Sequence, residues 1–348
     1  LTAFVDRVGR MIQRDIHHPA AIMWSLGNES GAGTNHEAAA AYARNFDPSR
    51  PLHYEGGIRG NWMGSHSLTD VICPMYPAIT AIKEYATSSK ADRPLIMCEY
   101  SHAMGNSNGT LAEYWEVIET TRGLQGGFIW EFWDHGPVQT MPDGSKRNAY
   151  GGDYGEKKHD GNFCCDGMVF PDRTAKPAMA EFKAIAAPAN ISAVKASTGS
   201  FKIFNKHFFK DLSEYEVSWT ITRDGLIIDS GKVKLPKVAP RKTVAFKVSS
   251  KHLAKADGLG ERFITFTIIN IDSTPWAPAF TEVGWNQMAL PSRALTIKSA
   301  KASDEYTNVL DDYGQIVLPR GVIAPALTLW RAPTDNDRIG HMATKWNR

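Results

Sequence analysis

Residues 24–30 read Trp-Ser-Leu-Gly-Asn-Glu-Ser and close a short apolar run that begins at Ala21. An apolar run of this length predicts a buried strand from Ala21 to Leu26. The strand passes directly into Asn28 and Glu29, two side chains suited to binding or catalysis. The arrangement recurs after further predicted strands at 52–54, 71–73, 95–98 and 127–132, which lead into Glu55, Tyr76, Glu99 and Trp130-Glu131.

Helical patterns separate these strands. Val5, Val8 and Ile12 share one face of a predicted helix over residues 1–16. Further helices are predicted from about Asn35, with Thr34 as the cap, to Asp47, and at 77–86, 110–121 and 179–186. Alternation of strand and helix favours a parallel sheet with crossover helices, as in a (β/α)8 barrel, whose active site lies at the carboxyl ends of the strands. An open five-stranded sheet is the alternative, but such sheets bind ligands at one switch point and not at every strand end.

The pattern changes after residue 189 to short runs in which apolar and polar residues alternate, such as 214–222 and 262–269. Turn signals at 224–225 and 257–258 separate these runs. We therefore predict three domains. Residues 1–189 form the C-terminal part of a TIM (β/α)8 barrel, 190–291 an immunoglobulin-like β-sandwich, and 292–348 the start of a further, larger β-sandwich. Because the chain opens on Leu1 in a mid-domain helical pattern, we expect a fragment whose barrel begins upstream.

Composition excludes several classes of function. The 348 residues are 43% hydrophobic and 22% charged, as in ordinary globular proteins. The net charge is +2 and no basic stripe is present, so nucleic acid is a poor candidate partner. No apolar run approaches the roughly 20 residues of a membrane helix. The four cysteines lack zinc-site spacing and are interpreted as free thiols in a reducing compartment.

Two carboxylates carry the predicted chemistry. Glu29 and Glu99 each follow a buried strand, far enough apart in sequence for about three β/α units, so they can face each other across a barrel. Retaining glycosidases use such a pair, about 5–5.5 Å apart, as acid/base and nucleophile. Asn28, directly before the acid, can bond a sugar hydroxyl next to the reacting carbon. The alternative is that a strand-end Glu is merely solvated or caps the next helix.

Longer strings strengthen the glycosidase interpretation. They resemble glycoside hydrolase family 2, the long β-galactosidases of bacterial lactose operons, in order from about Asp15 to Asp337. The string at 98–106, CEYSHAMGN, is similar to the galactosidase branch and not to the glucuronidase or mannosidase branches. The other strings are WSLGNESG at 24–31, DPSRPLHYEGG at 47–57, ICPMY at 72–76, LQGGFIW at 124–130 and RAPTDND at 331–337.

The resemblance implies roles for matching residues. Glu29 would be the acid/base and Glu99 the nucleophile. Glu55 is similar to a family Glu near the pocket, without an assigned role. For each aromatic residue, simple core packing is the alternative. The implied substrate contacts are Asn28 to the 2-hydroxyl, Tyr76 beside the nucleophile, His102 near the galactose 6-hydroxyl, Trp130 as an apolar platform, and Asp166.

The resemblance also implies two metals. Family magnesium is held by a Glu, a His and the acid/base, of which only Glu29 lies in this chain. Family sodium is bound by a backbone carbonyl and an Asn in a Phe-Cys-x-Asn-Gly string. Here the string is Phe163-Cys-Cys-Asp-Gly167, so Phe163 would give the carbonyl and Asp166 a carboxylate oxygen. Asp166 adds a charge, which leaves the identity of the ion open.

Together these inferences predict a retaining β-galactosidase that hydrolyses terminal non-reducing β-D-galactosides such as lactose through a covalent galactosyl-enzyme intermediate. Its partners would be small-molecule β-galactosides, and the resemblance implies a homo-oligomer, a tetramer, when full length, in the bacterial cytoplasm. One alternative is another family 2 glycosidase, such as a β-glucuronidase. The other is an inactive fragment that needs the missing N-terminal part.

Overall fold

The computed structural model describes residues 1–58, 60–64, 66–254, 260–292 and 333–339. These residues form two compact units. Among the described residues, the first comprises Leu1–Ile185 together with Thr334–Ile339, and the second lies within Ala186–Pro333. Among the described helices, none combines the length and the apolar character required to cross a membrane.

Helices and strands alternate in the first unit, as predicted. A 3-10 turn at Glu55–Gly57 and an antiparallel hairpin, β5–β6, are added in regions that the sequence pattern left as loops. The bounds are α1 Thr2–Asp15, β1 Trp24–Ser25, α2 Thr34–Phe46, β2 Leu52–His53, α3 Ile79–Thr87, β3 Leu95–Tyr100, α4 Leu111–Thr120, β4 Leu124–Ile129, β5 Val138–Thr140, β6 Lys146–Asn148, α5 Ala178–Ile185 and α6 Asp335–Ile339.

Strands β1–β4 of this unit are parallel and follow one another in chain order. β1 pairs with β2, and β3 pairs with β4. Between these pairs, Ile72 forms a parallel bridge to Leu95 and Met75 forms one to Glu99. The segment at 71–73, predicted as a strand, therefore contributes single bridges to the sheet. Parallel order aligns the carboxyl ends of all these segments along one edge.

Several boundaries differ from the predictions. β1 covers two residues, not six, and Thr34 is the first residue of α2 and not its cap, which is Gly33 without a side-chain hydrogen bond. β4 begins at Leu124 and ends at Ile129, three positions earlier than predicted. Its Gly127 packs so closely on β3 that a Cβ there would lie 2.8 Å from the Cβ of Met97. Apolar patterning could not reveal this, because glycine is the residue that allows the approach.

Helices cover the parallel strands through two apolar clusters. In the first, Val8 and Ile12 of α1 meet the alanine face of α2 and the strand residues Trp24 and Leu52. In the second, Ile82 of α3 and the apolar sides of α4 pack on β3 and β4. Burial of these faces on the helix side leaves the strand ends free to present polar residues.

The second unit contains two antiparallel sheets in its described part, with strand orders β10-β9-β12-β13 and β11-β8-β7. Inward side chains alternate along β9 and β12, as the sequence pattern predicted, and Phe266 meets Phe201 with ring centroids 4.8 Å apart. The strands are β7 Ala189–Lys195, β8 Ser200–Asn205, β9 Tyr215–Arg223, β10 Leu226–Val233, β11 Thr243–Lys247, β12 Arg262–Asn270 and β13 Glu282–Ala289.

Most residues in the last part of the chain are outside the described ranges, so most predictions made for them are not tested. The turn at 257–258 and most of the predicted third domain, 293–332 and 340–348, lie outside them. Residues 334–339, which were predicted to belong to that domain, belong to the first unit. This placement brings α6 to the strand-end edge of that unit.

Candidate active site

The strand ends of the first unit surround one cavity of about 460 Å³. All eight residues that were predicted to bind substrate, bind metal or act in catalysis line this cavity. Two further lining residues were not predicted. The lining comprises Asn28, Glu29, Tyr76, Glu99, His102, Trp130, Phe163, Asp166, Asn336 and Ile339. The structure thus brings together β3, the loops after β1, β3 and β4, the segment before α3, the loop between β6 and α5, and α6.

Glu29 is placed by a constrained loop after β1. Its φ of 48° is in the left-handed region, which costs of order 1–3 kcal/mol for a residue with a side chain. Its backbone N–H donates to Oε1 of Glu55 at 2.8 Å. The next residue, Ser30, has its Oγ 3.0 Å from Nε2 of the buried His36 and 2.9 Å from the hydroxyl of Tyr54. These contacts hold the loop in a conformation that the backbone alone disfavours.

Glu99 ends in the same cavity from within β3 and is 8% exposed. The hydroxyl of Tyr76 donates to its Oε2 at 2.7 Å. Burial raises the pKa of the Glu99 carboxyl, the Tyr76 hydrogen bond lowers it, and the negative charge of Glu29 raises it. The charge of Glu29 therefore reaches the Glu99 carboxyl.

Tyr76 and Glu99 affect each other in both directions. Burial, the hydrogen bond to Glu99 and the charge of Glu99 all raise the pKa of the Tyr76 hydroxyl. Tyr76 therefore stays protonated near neutral pH and serves as a hydrogen-bond donor to the carboxylate. A donor at this distance favours the charged form of Glu99, which is the form that can act as a nucleophile.

A second wall of the cavity is built on the loop after β3 and the end of β4. The Ala103 N–H donates to the Trp130 carbonyl at 2.8 Å, which joins the two. The side chain of Trp130 lowers the pKa of the Asp166 carboxyl, and Nε2 of His102 lies 4.0 Å from Oδ1 of that carboxylate. Trp130 remains 38% exposed, so a broad apolar face is available to a ligand.

Asp166 is the most buried acid of this wall, at 2% exposure. Burial is the largest cause that raises its pKa, while His102 and Trp130 lower it. Its Oδ1 is buried and accepts no hydrogen bond from the described residues. An orphaned buried carboxylate oxygen is what a bound cation would satisfy, so the donor chemistry fits a hard monovalent or divalent ion.

A complete magnesium site is not formed by this part of the chain. Within the described ranges, no group of three or more His, Cys, Asp or Glu side chains could hold a metal ion. The role of Glu29 as a magnesium ligand therefore stays a prediction. The cysteines of the cavity region are free thiols; burial is the main cause that raises the pKa of Cys98 and of Cys165 to about 12 each.

Asn336 and Ile339 line the cavity but were not predicted as site residues. Both lie in or beside the string RAPTDND, which was noted only for its resemblance. Asn336 donates from Nδ2 to the carbonyl of His102 at 2.9 Å, and its Oδ1 lies 2.8 Å from Nδ1 of the same residue. Glu55, which had no assigned role, bonds the backbone of Glu29. A polar string far from the strand ends was the signal available for Asn336.

Two family models match the sequence of this chain. Residues 1–191 match the family model described as glycosyl hydrolases family 2, TIM barrel domain. Residues 201–291 match the one described as β-galactosidase, domain 4. These matches confirm the predicted fold class, a partial TIM barrel followed by a β-sandwich, and favour the barrel over the open sheet.

Individual relatives agree with the family matches. The chain is 38% identical over 303 residues to β-galactosidase 2 of Enterobacter cloacae, covering 84% of this chain and 29% of that protein. It is 34% identical over 349 residues to a β-galactosidase of Aeromonas hydrophila, covering 97% and 32%. The match to a β-galactosidase of Yersinia enterocolitica is 36% over 319 residues, covering 88% and 30%. The chain thus spans about a third of the length of these relatives.

Proposed function

Because the chain belongs to glycosyl hydrolase family 2, we propose that it supplies the catalytic carboxylates of a retaining β-galactosidase. Glu99 attacks the anomeric carbon of a terminal β-D-galactoside while Glu29 protonates the departing oxygen. Glu29 then takes a proton from a water molecule, which hydrolyses the galactosyl ester of Glu99 and releases galactose with retained configuration. Lactose is the expected natural type of substrate.

The observation that carries this proposal is the single cavity lined by both carboxylates, with Tyr76 bound to one of them. Tyr76 keeps Glu99 in its charged form before attack and can return the hydrogen bond to the carboxylate as the ester breaks. Asn28, next to the acid, is placed to bond the hydroxyl beside the reacting carbon, a contact that strengthens in the transition state. Trp130 offers an apolar face for the sugar ring.

The acidic character of the cavity also supports this chemistry. Glycoside cleavage passes through an oxocarbenium-like state that carries positive charge. Glu29, Glu99 and Asp166 line the cavity where that charge would develop, and burial strengthens the effect of Glu99 and Asp166. The galactose preference itself is supported by the names of the relatives, which are β-galactosidases at 34–38% identity.

We propose further that a monovalent cation, sodium by family resemblance, binds at Asp166 and the carbonyl of Phe163. Such an ion would supply a fixed positive charge that a sugar hydroxyl can coordinate. Glu29 would contribute to a magnesium site whose other ligands lie outside this chain. Assembly into a homo-oligomer is a proposal for the whole protein.

Trapping of the covalent intermediate tests the proposal. The chain, in the polypeptide that naturally carries it, is incubated with 2-deoxy-2-fluoro-β-D-galactosyl fluoride and digested for mass spectrometry. A fluorogalactosyl label on the peptide that contains Glu99 is expected, and a label elsewhere would refute the assignment. A panel of nitrophenyl glycosides decides the sugar: preference for a glucuronide would overturn the galactose proposal.

Activity of the 348 residues alone is a separate question. The same panel is applied to residues 1–348 and to the longer polypeptide side by side. Activity in the longer form alone would mean that the cavity needs additional walls and metal ligands. Absence of activity in both would refute the glycosidase proposal as a whole.

A further inference from the structure

The side chain of Asn336 forms hydrogen bonds to both the backbone and the ring of His102. Nδ2 of Asn336 donates to the His102 carbonyl at 2.9 Å, and Oδ1 lies 2.8 Å from Nδ1 of the ring. The amide nitrogen is used as a donor to a carbonyl, so its oxygen must be the acceptor facing Nδ1. In the neutral ring, Nδ1 therefore carries the proton and Nε2 is left as an acceptor.

The segment that carries Asn336 is itself anchored to the loop after β3. The backbone N–H of Asp335 donates to Oδ1 of Asn106 at 3.1 Å, and that of Asn336 donates to Oγ of Ser107 at 3.2 Å. Gly105 leaves the room for this approach, since a Cβ there would fall 1.5 Å from the Asp335 carboxylate. Asn336 is thus placed by several contacts to the same loop that carries His102.

The other ring nitrogen of His102 lies near a second acceptor at the cavity wall. Nε2 lies 4.0 Å from Oδ1 of Asp166, which accepts no hydrogen bond from the described residues. Both side chains line the cavity, so a ligand group at this wall meets two acceptors. A hydroxyl group can donate its proton to Nε2 and still offer a lone pair to a cation at Asp166. A carboxylate has no proton to give, and it would leave Nε2 unpaired.

We propose that Asn336 is a positioning residue that holds His102 as the Nδ1–H tautomer and thereby makes this wall select a sugar hydroxyl over a sugar carboxylate. The inference rests on the proposed glycosidase function and deepens it, because it names the residue that lets this wall discriminate a neutral galactoside from a uronide. It also gives a role to a residue that lies 234 positions away from its partner.

The kinetic test compares two Asn336 variants with one matched control, all made in the longer polypeptide that naturally carries this chain. Asn336→Leu removes both hydrogen bonds at similar volume, and Asn336→Asp keeps an acceptor for Nδ1–H but loses the donor to the carbonyl. Asn61→Leu is the matched control, because Asn61 is exposed and its side chain bonds only the Met63 N–H among the described contacts. Each is assayed with nitrophenyl β-galactoside, its monodeoxy analogues and the corresponding galacturonide.

The expected outcome is specific to one hydroxyl. Asn336→Leu should lower kcat/KM on the galactoside about tenfold, the effect of roughly one hydrogen bond. It should have no effect on the deoxy analogue that lacks the hydroxyl bound by His102, which His102→Leu identifies independently. The ratio of kcat/KM on the galactoside to kcat/KM on the galacturonide should decrease in Asn336→Leu. Asn336→Asp should give a ratio between those of Asn336→Leu and the parent. Equal losses on every analogue, or unchanged uronide discrimination, would overturn the proposal.

A spectroscopic test separates this inference from the proposed function. In the 15N-histidine-labelled chain, with His102→Gln for assignment, Nδ1 should carry the proton in the parent and lose that preference in Asn336→Leu. A protonated Nε2 in the parent would refute the proposal even if glycosidase activity is found. If no glycoside is cleaved, the proposed function fails, while the tautomer measurement still decides the role of Asn336. Circular dichroism melting shows whether each variant is folded.

Discussion

Tyr76 is bonded to Glu99 twice: its backbone N–H donates to the Glu99 carbonyl at 2.8 Å and its hydroxyl donates to Oε2 at 2.7 Å. The first bond fixes where the Tyr76 main chain lies relative to β3, and the second places the phenol on the carboxylate. Tyr76 adopts a φ of 45°, which the main-chain bond helps to maintain. The phenol therefore lies where its hydrogen bond stabilises the charged form of Glu99.

Removal of that phenol should make the enzyme more sensitive to acid. Burial raises the pKa of Glu99 and the Tyr76 hydrogen bond lowers it, so Tyr76→Phe lets the pKa rise further. A hydrogen bond to a charged group is worth about 1.5 kcal/mol or more, which is about one pH unit. Since Glu99 must be ionised to attack, the acid limb of the kcat/KM profile should move to higher pH by about that amount.

The control for this shift is Tyr85→Phe. Tyr85 is buried and its hydroxyl donates to the Arg93 carbonyl, away from the cavity. Its removal should leave the acid limb where it is. An unmoved limb in Tyr76→Phe would mean that the pKa seen in the profile does not belong to Glu99.

The two carboxylates should respond differently when they are neutralised. Glu29→Gln removes proton transfer to the leaving group and should cost about 10²–10⁴-fold on alkyl galactosides, with a much smaller loss of the first step on dinitrophenyl galactoside. Azide should restore turnover in this variant and give the β-galactosyl azide. Glu99→Gln should abolish turnover of both substrates. The measurement is initial rates with product analysis by NMR.

Glu113→Gln serves as the matched control, since Glu113 is an exposed residue in the first turn of α4. It should retain full activity on every substrate. If azide instead restored turnover in the Glu99 variant, with β-galactosyl azide as the product, and not in the Glu29 variant, the two assignments would be reversed.

Much of this site could be predicted because strand-end residues follow from local pattern. A buried apolar run leading into Glu29 or Glu99 is visible in one stretch of sequence, and parallel order then brings such ends to one edge. The contacts that orient these side chains are not local. Glu55 reaches the Glu29 N–H, and Asn336 reaches His102, only after loops have packed.

Element boundaries were the other limit. β4 was predicted to run through Trp130 because the apolar pattern continues there, whereas the strand ends at Ile129. The Trp130 carbonyl instead accepts the Ala103 N–H, and the Glu131 N–H donates to the Asp166 carbonyl, both at 2.8 Å. These competing backbone hydrogen bonds to loop residues leave no trace in apolar periodicity.

A buried ion pair behind the cavity should be important for stability. Nζ of Lys176 lies 2.8 Å from Oδ1 of Asp134, both side chains are 4% exposed, and the same oxygen accepts the Gly167 N–H. Lys176→Met leaves a buried carboxylate without its cation, which typically costs about 3–5 kcal/mol. Urea unfolding should show this loss. The double variant Lys176→Met/Asp134→Asn should recover much of it.

An exposed pair provides the comparison. Lys210 lies 2.9 Å from Glu214 on the surface of the second unit, with both side chains more than half exposed. Lys210→Met should change the unfolding midpoint little, because solvent screens such pairs. A similar small effect for Lys176→Met would mean that water reaches Asp134 in solution.

The proposed cation at Asp166 makes a prediction about sodium. Two unit charges about 2.4 Å apart attract by about 1.7 kcal/mol even in bulk water, so Asp166→Asn should raise the half-saturating sodium concentration by about tenfold or more. Activity and 23Na line width are measured against sodium at constant ionic strength, with choline as the replacement cation. Asp143→Asn, at the exposed tip of the β5–β6 hairpin, should leave the sodium response unchanged. Identical sodium curves for Asp166→Asn and the parent would remove Asp166 from the cation site, and its orphaned Oδ1 would then need another partner, such as a sugar hydroxyl.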